Sequence, residues 1–287
     1  MINRSNAEFS MRMTRQSLLA AVASLVTLCG AARADAPSLL PHRAVYDVSL
    51  ASVSDTSDIE ALTGRWVFDF SGSACKGYTA ESRLVMKFET GEGPRLLDRR
   101  VSSFEAADGQ TFKFKSQSYT DQELEEEVVG TAARNDDVIE VSYTKPENAD
   151  VTFGTPAVFP SGQVFEILEK ARAGIRFYES AVFDGTEMVD DATTVSVVIG
   201  KPKPLKQAAT RTTLGEIGND NFLPVTMAYF EPESDQEGER VSDYDVTFNM
   251  HESGVQTDIL IRYEEYSMAA DLVEFTKNDV DTDCSKQ

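Results

Sequence analysis

The chain has 287 residues, 48 acidic against 27 basic side chains and a formal charge of −21, with 41% hydrophobic residues. So negative a field repels phosphate backbones and anionic surfaces, which excludes nucleic acid as a partner and disfavours bulk adsorption to lipid. Two histidines leave little for a Ser-His-Asp relay or a histidine-rich metal site.

At the start of the chain, Arg4, Arg12 and Arg15 form a positive region, residues 18–28 an apolar stretch, and Ala32-Arg33-Ala34 an A-x-A cleavage site. The pattern predicts a signal peptide over 1–34, export to the periplasm of a Gram-negative cell, and a single domain over 35–287. Cys29 raises a lipoprotein signal as the alternative, but Leu28 is bulky where that processing needs a small residue. No run approaches the roughly 20 apolar residues of a spanning helix, so the chain is not expected to cross a membrane. Cleavage brings the charge to about −24 and leaves Cys75 and Cys284. Two lone cysteines in an oxidising compartment are expected to pair, with two free thiols as the alternative. The pair would close about 210 residues, contributing up to roughly 5 kcal/mol.

From Arg43 to Ser52 the chain alternates, with Ala44, Tyr46, Val48 and Leu50 on one face, and predicts a strand. An acidic loop is expected from Val53 to Leu62, then Trp66, Phe68 and Phe70 share a face, followed by Leu84, Met86 and Phe88. Asp108-Gly109 between alternating runs signals a hairpin into Phe112 and Phe114. Strands over 123–133 and 138–143 follow, joined by a turn at 134–137. Every run has one apolar side, as antiparallel sheets do.

The one clear helix is predicted at 162–173, where Val164, Ile167, Leu168 and Ala171 form a stripe of 3.6-residue period. Ser161 suits its N-cap and Gly174 the left-handed closing residue. Strands are then expected at 177–182, 193–199, 222–230, 244–250 and 255–263, with a further piece at 272–275. Lys201-Pro202-Lys203-Pro204-Leu205-Lys206 reads as a loop or guarded edge, with a basic binding patch as the alternative, and 231–239 as an acidic loop. The fold class is all-β, mainly antiparallel: a large curved sheet forming an open or spiral-like broken β-barrel with two β halves about one central helix.

No motif assigns a reaction. Ser161 lacks the G-x-S-x-G context and reads as a cap, His251 as an exposed residue beside a turn. The acidic runs at 125–127 and 190–191 alternate faces and do not gather on one ion. No catalytic residue, metal or cofactor is expected. What remains is a concave apolar wall, with Trp66, Phe68, Phe70, Phe112, Phe114 and Phe248 as candidate lining. Either helix and loops fill it or it takes a lipid or acyl chain.

In order along the chain stand His42-Arg43-Ala44-Val45-Tyr46, Cys75-Lys76-Gly77-Tyr78, Ser103-Phe104-Glu105, Asp108-Gly109, Phe112-Lys113-Phe114, Phe159-Pro160-Ser161, Ala171-Arg172-Ala173-Gly174, Phe183-Asp184-Gly185, Ala228-Tyr229-Phe230, Gly254-Val255 and Cys284. This ordered set resembles the EipB family of periplasmic cell-envelope integrity proteins of α-proteobacteria. The resemblance implies a broken, spiral-like β fold, a disulfide from the first half to the tail, and a role in envelope integrity without known catalysis. It transfers no catalytic residue, and the chain departs from it at Gln163, where a histidine is expected. The expected function is non-enzymatic upkeep of the envelope, by binding an apolar ligand (lipid, acyl chain or lipoprotein) or an envelope protein partner. A ligand-free adaptor is the second reading and an envelope-polymer hydrolase the third.

Overall fold

The computed structural model describes residues 38–135, 138–154, 157–230 and 241–279. The predicted signal peptide, the loop 231–239 and Cys284 lie outside the described residues. Strands β1 His42–Val53, β2 Ile59–Ser73, β3 Gly77–Thr90, β4 Gly93–Glu105, β5 Thr111–Thr120, β6 Glu123–Asn135, β7 Val138–Lys145, β8 Ala149–Gly154 and the two-residue β9 Ala157–Val158 lead to helix α1, Pro160–Arg172. Then come β10 Phe177–Val182, β11 Thr193–Ile199, β12 Lys203–Pro204, a short helix α2 at Ala208–Leu214, a 3-10 turn at Gly215–Asn219, β13 Asn221–Phe230, β14 Tyr244–Met250, β15 Gln256–Arg262 and β16 Tyr266–Lys277.

One sheet holds the strands in the order β8 back to β1, then β16 back to β13, then β11, β10 and β9, with β12 attached to β13. It is a nearly closed, barrel-like sheet with one seam, the open barrel that the one-sided alternation predicts. The seam falls between β8 and β9, neighbours in sequence. The two halves are joined at β1 and β16, where His42 faces Lys277 and Val53 faces Tyr266. The β9–β10 pair is parallel, and such a pair needs a crossover, which α1 supplies.

Several elements differ from expectation. The loop of 53–62 shrinks to 54–58, because β1 runs on to Val53 and β2 begins at Ile59; Leu62 is a buried strand residue. β8, β9 and α2 are additional, and the fragment at 272–275 is part of a twelve-residue strand. Within the lysine-proline run, Lys203 and Pro204 pair with Phe222 and Asn221. Among the described residues, no helix is long and apolar enough to cross a membrane.

Helix α1 packs its predicted stripe inward. Ile167 and Leu168 are buried, with Val164 and Ala171 against the same core. Its C-terminus closes as expected: the Gly174 N–H donates to Ala171 O and the Ile175 N–H to Lys170 O, with Gly174 at φ 78°. Its N-terminus is held otherwise. Phe159 is the cap and Ser161 lies within the first turn, without a side-chain cap bond. The orphan amides are met by a carboxylate from β4: Glu105 Oε2 accepts from the Ser161 N–H at 2.7 Å and Oε1 from the Gly162 N–H at 3.2 Å. A negative group at the positive end of a helix dipole does the work expected of the serine hydroxyl.

Two clusters of apolar side chains fill the interior. The larger joins β1–β3 with β11 and β13–β16 beneath α1. The smaller surrounds Phe112, Phe114, Tyr143, Phe153, Phe159 and Phe183. It bridges the seam by side-chain packing where strand hydrogen bonds stop. Tyr143 Oη donates to Val189 O and accepts from the Val189 N–H, both at 3.2 Å, fastening the connection from β10 to β11 across it.

Candidate functional site

The inward face of β1 carries His42, Ala44 and Tyr46 opposite Phe70, Phe68 and Trp66 of β2. Ala44 leaves room beside Phe68, and the rings around it make contact. Phe68 and Phe70 stack at 6.1 Å, Phe70 and Tyr78 at 5.2 Å, and Tyr46 lies 5.3 Å from Trp66. Facing this aromatic wall are Met227 and Tyr229 of β13, Tyr244, Val246 and Phe248 of β14, and Ile259 and Ile261 of β15. Leu39, the first turn of α1 and the β14–β15 turn at Ser253-Gly254 complete the enclosure. Gly254 has φ 87°, and a Cβ there would collide with Leu39 and crowd Val164. Between the walls lies a cavity of about 330 Å³.

Five of the six predicted wall residues line it: Trp66, Phe68, Phe70, Phe112 and Phe248. Phe114 does not. It sits two residues along β5 from Phe112, in the seam cluster, wedged against Gly130 and Gly185 and edge-on to Phe183 at 5.3 Å. A second, wider cavity of about 1160 Å³ adjoins the first, and both are bordered by Trp66, Tyr244 and Ile261. Its walls are more polar: Arg99, Asp184, Glu187, Asp190 and Asp243 beside Tyr263 and Tyr266. Tyr229, Tyr244, Tyr263 and Tyr266 run as a ladder of rings, from 4.4 to 5.7 Å apart, out of the first cavity into the second.

Few polar groups face the inner cavity. Glu105 is 7% exposed, and burial pushes its carboxyl up while the Ser161 and Gly162 amides and Arg134 pull it back. His42 has its basicity lowered, chiefly by burial, and its Nδ1–H donates to Leu40 O at 2.7 Å. Burial also pushes up the hydroxyls of Tyr46, Tyr229 and Tyr244 and takes Tyr266 to about 12, so all remain neutral donors. Gln163 lines the cavity beside Tyr229, and its buried Nε2 approaches the Tyr229 hydroxyl without reaching a hydrogen bond of good geometry. A buried donor left wholly unsatisfied costs about 1 to 3 kcal/mol; a ligand oxygen would recover the part of that cost that the weak contact with Tyr229 leaves.

His251 is buried, not exposed. Its Nε2 lies 3.2 Å from Asp220 Oδ2 and its Nδ1 2.7 Å from Ser253 Oγ, the order of a catalytic relay. The backbone argues for another role. The Ser253 N–H points at Nδ1 and the Gly254 N–H donates to His251 O, so the amides that would hold an oxyanion are already engaged in the turn. The group braces the β14–β15 corner of the cavity. Cys75 sits in the turn between β2 and β3, while its predicted partner Cys284 lies outside the described residues.

Glu105, the tyrosine ladder and Gln163 as a wall residue were not anticipated as parts of one site. Strand alternation places a side chain on the inner face but says nothing of which inner residues meet across the barrel.

The geometry defines a class: a barrel-like sheet enclosing an apolar cavity under a helix. The EipB-like family matches residues 33–279, and the chain belongs to that family. The cell envelope integrity protein EipB of Brucella abortus (strain 2308) is 36% identical over 285 residues, 96% of this chain and 100% of that relative. A crystal structure of a β-barrel-like protein of a domain of unknown function, also from Brucella abortus, matches with a TM-score of 0.80 at 34% identity, covering 85% of this chain and 100% of that one.

Proposed function

We propose that the protein is a non-enzymatic periplasmic factor of envelope integrity that holds an acyl chain in its inner cavity. The name of its Brucella relative supports the envelope role. The observation that carries the ligand is the aromatic-lined space of about 330 Å³ with the weakly met Gln163 donor in its wall. Burying eight methylenes would contribute about 6 kcal/mol before ordering costs, enough for a Kd of tens of micromolar at best (on the order of 10⁻⁵ M). The tail would lie against Phe68 and Phe70, a carbonyl oxygen would accept from Gln163, and the headgroup would pass Trp66 and Tyr244 into the wider cavity.

Titrating a fluorescent fatty acid against the delipidated mature protein tests this. Saturable binding is expected, abolished by Phe68→Asp and weakened about five- to tenfold by Gln163→Leu, the loss of one hydrogen bond. No saturable binding, together with a lipid-free native mass, would overturn the carrier reading and leave the adaptor.

The same proposal includes cleavage after Ala34, a single domain over 35–287 and a Cys75–Cys284 disulfide. Asn278 supports the last: its Nδ2 donates to Asp69 Oδ1 at 3.0 Å and to Phe70 O at 3.1 Å. Those bonds bring the chain six residues before Cys284 to within five residues of Cys75. Intact mass and non-reducing peptide mapping of protein taken from the periplasm test both processing steps.

A further inference from the structure

We propose that an anionic phospholipid bilayer docks on the corner formed by the end of α1 and the start of β10 and β11. After α1 closes at Gly174, residues 172–177 are all exposed. Ile175 is 39% exposed, Phe177 63% and Val198 49%. They form one patch, since Phe177 and Val198 are direct cross-strand partners and Ile175 precedes Phe177 by two residues. Single exposed apolar residues are ordinary, but three at one corner in so acidic a protein are not.

Cations frame the patch. Arg176 Nη1 donates to Gly200 O at 2.9 Å and the Ile199 N–H to Arg176 O at 2.9 Å, which sets Lys201 next to Arg176; the exposed Lys203 follows two residues on, paired with Phe222 of β13. Arg172 projects from the last turn of α1. Among the described residues, none of these four cations has an ion-pair partner, whereas Arg43, Arg65, Arg83, Arg100 and Lys115 on the first half of the sheet each have one. Of the acids on the adjoining elements, Glu166 accepts from Ser180 Oγ and Glu179 from Ser196 Oγ, bonds that orient the carboxylates but leave their charge in place, so that Glu169 and Glu179 are both exposed opponents of the cations.

Apolar side chains that can enter the acyl boundary, flanked by lysines and arginines at phosphate height, fit a bilayer surface. The overall charge opposes approach from afar but is screened beyond about 8 Å at physiological ionic strength. Its effect is to forbid every other orientation, so the protein would dock by this corner alone. Nothing here depends on a ligand in the cavity.

The test is co-sedimentation of the mature protein with phosphatidylcholine vesicles, with and without phosphatidylglycerol. Binding is expected only with the anionic lipid. It should fall at least about thirtyfold in Lys201→Glu/Lys203→Glu, at roughly 1 kcal/mol per cation, and about tenfold in Phe177→Ser. Lys113→Glu/Lys145→Glu makes the same charge change on exposed residues elsewhere and is expected to alter binding less than twofold. Phe177 is too exposed for its loss to unfold the chain, which unchanged melting and fatty-acid titration would verify. The proposal is overturned if anionic vesicles are not bound, if the control pair loses as much, or if Phe177→Ser has no effect. Polyglutamate binding that matches vesicle binding and ignores Phe177 would instead assign the corner to an acidic polypeptide.

Discussion

The two halves of the sheet, β1–β8 and β9–β16, hold themselves together differently. In the first half, strands of up to fifteen residues are joined by turns of two to five residues. Its outer face carries cross-strand ion pairs such as Arg65–Asp47 at 2.8 Å and Lys115–Glu127 at 3.2 Å. Exposed pairs of this kind contribute about 0 to 1 kcal/mol each, so they set register and solubility while the aromatic inner face supplies most of the stability. The second half has shorter strands apart from β13 and β16, both helices, and the long connections at 183–192 and 200–220. The first half is a wall. The second half closes that wall, caps it with α1, and presents unpaired cations and apolar side chains outward.

That contrast can be broken most severely where the halves meet. Phe112 of the first half is 1% exposed and stacks on Phe159 at 5.0 Å; Phe112→Ala should cost about 3 to 5 kcal/mol, and Leu168→Ala, beneath α1, about 2 to 5. Urea midpoints measure both, and an unchanged midpoint in either would show that its half folds without the other. Next in size is Glu105→Ala, which strips the first turn of α1 of its acceptor. With two helix amides unmet, a loss of about 2 kcal/mol is expected, with helicity falling before the sheet melts.

A smaller effect should come from the outer wall. Arg83 holds the Asp98 carboxyl at about 2, aided by Arg100 and opposed by burial. Because the folded pKa lies below the unfolded one, this stabilisation is complete above about pH 5 and is lost as pH falls through about 2. Asp98→Asn should therefore cost about 1 kcal/mol at neutral pH, allowing for the exposure of both arginines, and progressively less as pH falls through about 2. The smallest effect is a gain. Asp121 and Gln122 both have positive φ in the two-residue turn between β5 and β6, where glycine is at ease, so Gln122→Gly should raise stability by about 0.5 to 1 kcal/mol.

Most of the first half was legible because its long strands alternate and several end at Gly or Asp-Gly turns. β8 escaped notice since only Val151 and Phe153 alternate there, close after Pro146, and β9 is too short to show any period. α2 is a seven-residue helix containing three threonines, weak in propensity and held by the surrounding structure. In the site, alternation correctly put Phe112 and Phe114 on one face but could not give their height. Two residues along a strand move a side chain by about 7 Å, enough to carry Phe114 from the cavity to the seam. Glu105 could not be found from a helix signature, because the cap it provides lies 56 residues away from Ser161.

The pairing of β1 with β16 has a consequence for how the chain matures. His42 meets Lys277, so the contact that joins the two meanders has nearly the longest sequence separation in the fold, while the seam separates neighbours. Contacts of such separation form late and slowly. Until residues 266–277 arrive, β1 and the aromatic β2 beside it form an unpaired edge, the kind of surface that aggregates or is seized by chaperones. The first strand made therefore waits for the last, and the inner cavity, whose walls come from both meanders, is among the final parts of the molecule to exist.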